Sequence, residues 1–137
     1  MTFNPYLTFN GNCAEAFASY AEIFGAEIGM MMKFGDAPSG VSMPGASDDL
    51  IMHAQLNLGD SVLMGSDMTG DGETRVSGIQ IQMGYDDVDE ARQVFEALAE
   101  GGVVEMPFQK TFWAAGFGMV RDRFGVPWLI NCDQPAG

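Results

Sequence analysis

Residues Gln109–Asn131 read Q-K-T-F-W-A-A-G-F-G-M-V-R-D-R-F-G-V-P-W-L-I-N. The stretch predicts strand, turn, strand, turn, strand, with aromatic and cationic residues held in polar-framed turns. Its strands extend to about Val103–Lys110, Ala115–Arg121 and Val126–Cys132. Working back from it, Asp87 with Glu90 three residues on has the spacing of a capped helix start. Val88, Ala91, Val94 or Phe95, and Leu98 then form one apolar stripe, and Gly101-Gly102 ends the helix. An alternating strand, Gly78–Gly84, precedes it.

The same order stands in the first half. A strand over Phe3–Asn10 leads to a helix with Asn12 as N-cap and Glu15 three residues on. Phe17, Tyr20, Ala21 and Phe24 make its stripe and Gly25 its end. Strands follow near Ala26–Phe34, Leu50–Leu58 and Ser61–Asp67, the last two joined at Gly59-Asp60. Polar connections fill Gly35–Asp49 and Met68–Ser77. The chain therefore reads β-α-β-β-β twice, with modules at about residues 1–70 and 76–137 of a single 137-residue domain. The expected class is α+β: two βαβββ modules forming a mostly antiparallel, curved sheet cleft with helices on the outer face.

Composition narrows the partners. The chain carries 19 acidic and 6 basic residues, a net charge of −13. That leaves too few cations for the basic face a nucleic acid requires. No apolar run has the length of a membrane span, and M-T-F-N-P-Y lacks the build of a signal peptide. The cytoplasm is the expected compartment, with no membrane partner. Cys13 and Cys132 lack metal or redox spacing and read as reduced, half-buried small hydrophobes. The 11 methionines, Met30–Met32 among them, read as adaptable packing.

With this element order, the chain resembles the vicinal oxygen chelate superfamily of glyoxalase I, extradiol dioxygenases and bleomycin-resistance proteins, in particular its PhnB-like branch. The resemblance is carried by P-Y-L-T-F-N-G-N-C-A-E-A at 5–16, M-H-A-Q at 52–55, M-G-S-D at 64–67 and the terminal block. It implies paired modules around a cleft, a homodimer, and a lyase or dioxygenase if the protein is an enzyme. The candidate ligand-binding residues are Met64, Ser66, Gln80, Gln82, Phe112, Trp113, Arg121, Leu129 and Asn131. Metal-dependent members hold a divalent ion at positions falling at or next to Pro5, Met64, Gly78 and Leu129. None of these is His, Asp, Glu or Gln, so no metal and no other cofactor is expected. Members of the branch are also named demethylubiquinone methyltransferases, but no glycine-rich strand-to-helix turn for S-adenosylmethionine is present.

His53, the one histidine, alternates with apolar residues on a face it shares with Gln55 and Asn57. It is a general base, a lone metal ligand, or a hydrogen-bonding residue of a polar sheet face. Asp67 orients His53 or a ligand, or caps a turn. Gln80 and Gln82 offer amides to neutral polar groups, or form a solvated strand face. Phe112, Trp113, Phe117 and Trp128 grip a planar ligand, or pack as core or dimer contact. Lys110, Arg121 and Arg123 bind an anionic ligand group, or pair with Asp122, Glu105 or a partner subunit. The leading expectation is a homodimeric, metal-free pocket for a small organic ligand. A divalent-metal lyase or dioxygenase built on His53, Asp67 and a neighbouring carboxylate is the alternative, and sequestration of cationic drugs the third.

Overall fold

The computed structural model describes residues 1–36, 47–68 and 78–134. The chain falls into two compact units, Met1–Thr74 and Arg75–Gly137. Among the described residues each unit holds one α-helix and one four-stranded mixed sheet.

The first unit runs β1 (Tyr6–Phe9), α1 (Cys13–Phe24), β2 (Glu27–Lys33), a 3-10 turn at Phe34–Asp36, β3 (Ile51–Leu58) and β4 (Ser61–Asp67). Its sheet order is β1-β4-β3-β2, parallel between β1 and β4 and antiparallel elsewhere. Cys13, Ala16, Phe17 and Tyr20 are the buried side of α1, with the predicted Ala21 and Phe24 at its margin. Phe17 meets Phe9 edge-on, with ring centroids 6.1 Å apart. Gly65 lies under that ring. A Cβ there would sit 3.0 Å from Phe17 and from the Leu7 carbonyl, so glycine sets how closely helix and sheet approach. Gly25, at φ 65°, ends α1 as predicted.

Three expectations fail locally. β1 begins at Tyr6 rather than Phe3, after Pro5, which has no N–H to donate. Simple alternation from His53 puts Met52 on the core side of β3 with Ala54 and Leu56, yet Ile51 is the buried residue there. The pairing steps from Met32↔His53 to Lys33↔Ile51, which leaves Met52 as the extra residue of a bulge and turns the strand's start. Finally, Asn12 makes no side-chain cap bond. The cap comes from 55 residues further on: one carboxylate oxygen of Asp67 accepts from the N–H groups of Gly11 and Cys13, each at 3.0 Å, and the other from Ile51 N–H at 2.9 Å. A carboxylate at a helix N-terminus opposes the positive end of the helix dipole, which an amide would do only weakly.

The second unit runs β5 (Ile81–Tyr85), α2 (Val88–Ala99), β6 (Val103–Gln109), β7 (Ala114–Arg121) and β8 (Pro127–Asp133), with sheet order β5-β8-β7-β6 and β5–β8 parallel. Asp87 caps α2 by accepting from Asp89 N–H at 2.9 Å, as its spacing predicts. Ala91, Val94, Phe95 and Leu98 are buried, so both members of the ambiguous pair belong to the stripe. On β7, Ala114, Gly116, Gly118 and Val120 alternate as the core side. A Cβ on Gly118 would lie 2.7 Å from the Phe95 ring and 2.9 Å from the Phe108 backbone, so α2 and β6 close over bare backbone. β5 starts at Ile81 rather than Gly78, because Gly78 takes a left-handed φ of 80° that no strand continues. The predicted connections at Gly35–Asp49 and Met68–Ser77 lie mostly outside the described residues.

Both cysteines are buried and free. Burial, then the Asp67 carboxylate, pushes the Cys13 thiol up to about 12. Burial, then Asp133, Asp86 and Asp87, raises the Cys132 thiol. Burial, then Glu90, moves Tyr85 up to about 12. Each group is harder to ionise folded than unfolded, so its contribution is complete below the unfolded pKa and is lost as pH climbs toward the folded one. Urea midpoints are therefore expected to hold steady through neutral pH and fall from about pH 9 to about pH 12. A midpoint that is flat across that alkaline range contradicts this linkage.

Candidate functional site

Because β3 packs Ala54 and Leu56 against α1, the residues between them face the other way. His53, Gln55 and Asn57 thus occupy the open face of the first sheet. The register adds Met32 beside His53, Met30 and Met64 on either side of Gln55, Tyr6 beside Met64, and Ser66 beside Thr8. The Tyr6 hydroxyl and His53 Nδ1 are hydrogen-bonded at 3.2 Å, with ring centroids 5.7 Å apart. Gln55 Nε2 donates to Asn57 Oδ1 at 3.2 Å. Asp67 is not part of this group. It shares the helix side with Gly65, is 5% exposed, and gives both oxygens to backbone N–H groups. The expectation that Asp67 orients His53 is corrected accordingly: alternation along β3 and β4 sets the two side chains on opposite faces.

On the second sheet, Trp128, Ile130 and Cys132 face α2 while Leu129 and Asn131 face out. Gln82 flanks Leu129 on one side and Met119 on the other, and Phe117 flanks Asn131. Gln80 is exposed and precedes β5. From Phe117 an aromatic run leads outward: Trp113 at 5.4 Å between centroids, then Phe112 at 4.8 Å, both contacts edge-to-face. The turn that carries it is fixed. Thr111 Oγ1 accepts from Trp113 and Ala114 N–H groups at 3.3 and 3.0 Å, and Gln134 Nε2 donates to the Thr111 carbonyl at 3.1 Å. Phe112 is nevertheless 91% exposed and Trp113 51%.

Three residues grouped near this cluster by sequence belong elsewhere. Trp128 is 1% exposed, and its Nε1–H donates to Asp122 Oδ2 at 2.8 Å. Asp122 Oδ1 accepts from Phe124 and Val126 N–H groups. Arg121 pairs with Glu105 at 3.4 Å and donates to the Gly125 carbonyl at 2.8 Å, which ties it to its own hairpin turn. Arg123 stacks over Phe124 at 4.3 Å.

The register also bears on the four positions that the superfamily resemblance implies for an ion. Met64 has Tyr6 at its side, and Leu129 has Gln82, in place of the Pro5 and Gly78 read from sequence. A phenol, a thioether, an amide and an alkyl group do not make the oxygen and nitrogen set that a hard divalent ion requires. Among the described residues no three of His, Cys, Asp and Glu come together as a ligand group. Among them, too, no helix is long and apolar enough to cross a membrane.

Comparison with known proteins gives these features a context. Residues 1–131 match the sequence model of a family described as 3-demethylubiquinone-9 3-methyltransferase. The chain is 39% identical to the protein YjdN of Escherichia coli K12, over 96% of this chain and 95% of that one. The crystal structure of PA1353 from Pseudomonas aeruginosa superposes with a TM-score of 0.87 at 45% identity, covering 98% of this chain and 99% of the other. A glyoxylase/bleomycin resistance protein/dioxygenase domain from Frankia sp. EAN1pec shares the fold at 14% identity, with a TM-score of 0.70 over 100% of this chain and 94% of that one. At the two helix starts, the Gly11 and Cys13 amides are taken by Asp67 and the Asp89 amide by Asp87.

Proposed function

The chain belongs to the PhnB-like family, described as 3-demethylubiquinone-9 3-methyltransferase, and on that footing we propose that it is a homodimeric binding protein for a small organic molecule. The ligand is uncharged, has a flat apolar part, and is held without a divalent ion. The observation that carries this reading is the Phe112–Trp113–Phe117 run, displayed on a hydrogen-bonded turn beside Asn131. Aromatic side chains kept in water by a rigid turn are pre-organised for a planar partner, since little freedom remains to be lost on binding. Gln82 and Asn131 supply amide donors and acceptors on the same sheet face, and an amide favours neutral polar groups over charged ones. Exposed Phe3 and Ile79 are surface suited to a second copy of the chain.

The chain's two tryptophans make the test direct, because Trp113 is half exposed and Trp128 buried. Titration with neutral fused-ring aromatics is expected to quench the red-shifted Trp113 component. Trp113→Ala is expected to weaken binding by about tenfold, the scale of one aromatic contact. Equal affinity in that variant would sink the proposed site. Sedimentation should give twice the 14.7 kDa chain mass, and a monomer at micromolar concentration would remove the dimer from the proposal.

A further inference from the structure

We propose that the open face of the first sheet is a thioether–imidazole site for a soft monovalent cation, Cu(I), built by Met30, Met32, Met64 and His53. Met32 is the direct cross-strand neighbour of His53, whereas Met30 and Met64 stand on the two sides of Gln55, one pleat step away. On a sheet, direct neighbours have Cβ atoms about 5 Å apart and diagonal ones about 7 Å. Methionine is unbranched with three rotatable bonds, so three sulfurs at these stations reach one point above the imidazole.

The histidine is held for this task. Tyr6 engages Nδ1 at 3.2 Å, and in the tautomer where Nδ1–H donates to the phenol oxygen, Nε2 carries the free lone pair. A ligand imidazole typically has its second nitrogen occupied in this way. Core packing does not account for these methionines. Met31, between two of them, pairs with Ala54 on the helix side, while Met30 is 44% exposed.

The chemistry of the donors selects the ion. Thioethers are soft and neutral and favour Cu(I), whereas Zn(II), Mg(II) and Ca(II) seek thiolate, imidazole or carboxylate sets. The nearby carboxylate of Asp67 is committed to three N–H groups on the opposite face. A net charge of −13 lowers the cost of holding a cation among neutral ligands. This site stands independently of the ligand reading of the second sheet.

The test uses the whole protein. Under ascorbate and in competition with a chromogenic Cu(I) chelator, one equivalent per chain is expected to be retained. With Ag(I) as a redox-inert probe, methyl NMR signals of Met30, Met32 and Met64 are expected to shift while those of Met83, Met106 and Met119 stay. The M30L/M32L/M64L variant is near volume-neutral and should keep the fold. It is expected to weaken Cu(I) by about a hundredfold or more, beyond what loss of an outer-shell partner produces. Replacing Cys13 and Cys132 by alanine should leave uptake unchanged. Uptake that survives the triple variant, disappears with the cysteines, or leaves the three methyl signals in place overturns the site. The methyl shifts decide the matter on the unmutated chain should a variant not fold.

Discussion

Replacing Asp67 by alanine is expected to destabilise the protein by roughly 4 kcal/mol, because three N–H groups lose a charged acceptor at once and each buried donor left unmade costs about 1–3 kcal/mol. The groups concerned are Gly11 and Cys13 at the start of α1 and Ile51 at the start of β3. Water re-solvates some of them, which is why the expected loss falls below the plain sum. Asp67→Asn is expected to lose less. Its oxygen can still serve Gly11 and Cys13, while its amide nitrogen turns a donor toward the Ile51 donor. Urea denaturation of the three proteins checks the order wild type, Asn, Ala. An alanine variant within 1 kcal/mol of wild type would show that these bonds do not hold the first unit together.

Trp128→Ala is expected to cost about 4–5 kcal/mol, in the range for emptying a large aromatic site. Trp128 fills the core side of β8 and also donates to Asp122 Oδ2, so its removal leaves a cavity and takes one buried hydrogen bond from that carboxylate. Trp128→Phe separates the two effects. It keeps most of the volume but not the indole N–H, and a loss of about 1–3 kcal/mol is expected. Both are measured by urea melts, with the remaining Trp113 as fluorophore. If Phe proves as costly as Ala, the hydrogen bond rather than the packing is the larger part.

Much of the fold was legible because periodicity survives without neighbours. The stripe at Val88, Ala91, Phe95 and Leu98 and the alternation of Leu129 and Asn131 with Ile130 follow from local geometry alone. What was not legible required partners distant in sequence. The cap of α1 sits on Asp67, so the local Asn12 and Glu15 pattern pointed to the wrong side chain. The bulge at Met52 depends on how β2 meets β3, and it moved Ile51 into the core. In the site, Gln82, Met64 and Leu129 could be assigned to open faces by counting residues. Tyr6 could not be assigned to His53, from which it is separated by 47 positions. Trp128 was grouped with the exposed aromatics because composition does not say which of two tryptophans a sheet turns inward.

The position of β8 has a consequence for how the chain is made. It lies between β5 and β7, so the second sheet lacks an inner strand until β8 leaves the ribosome. β5 and α2 must wait, their apolar sides uncovered, for a segment that ends at Asp133. The first unit faces the same wait until Asp67 emerges, because β4 lies between β1 and β3. Synthesis thus closes the two halves in turn: each stays open to chaperones and proteases until its own last strand is made.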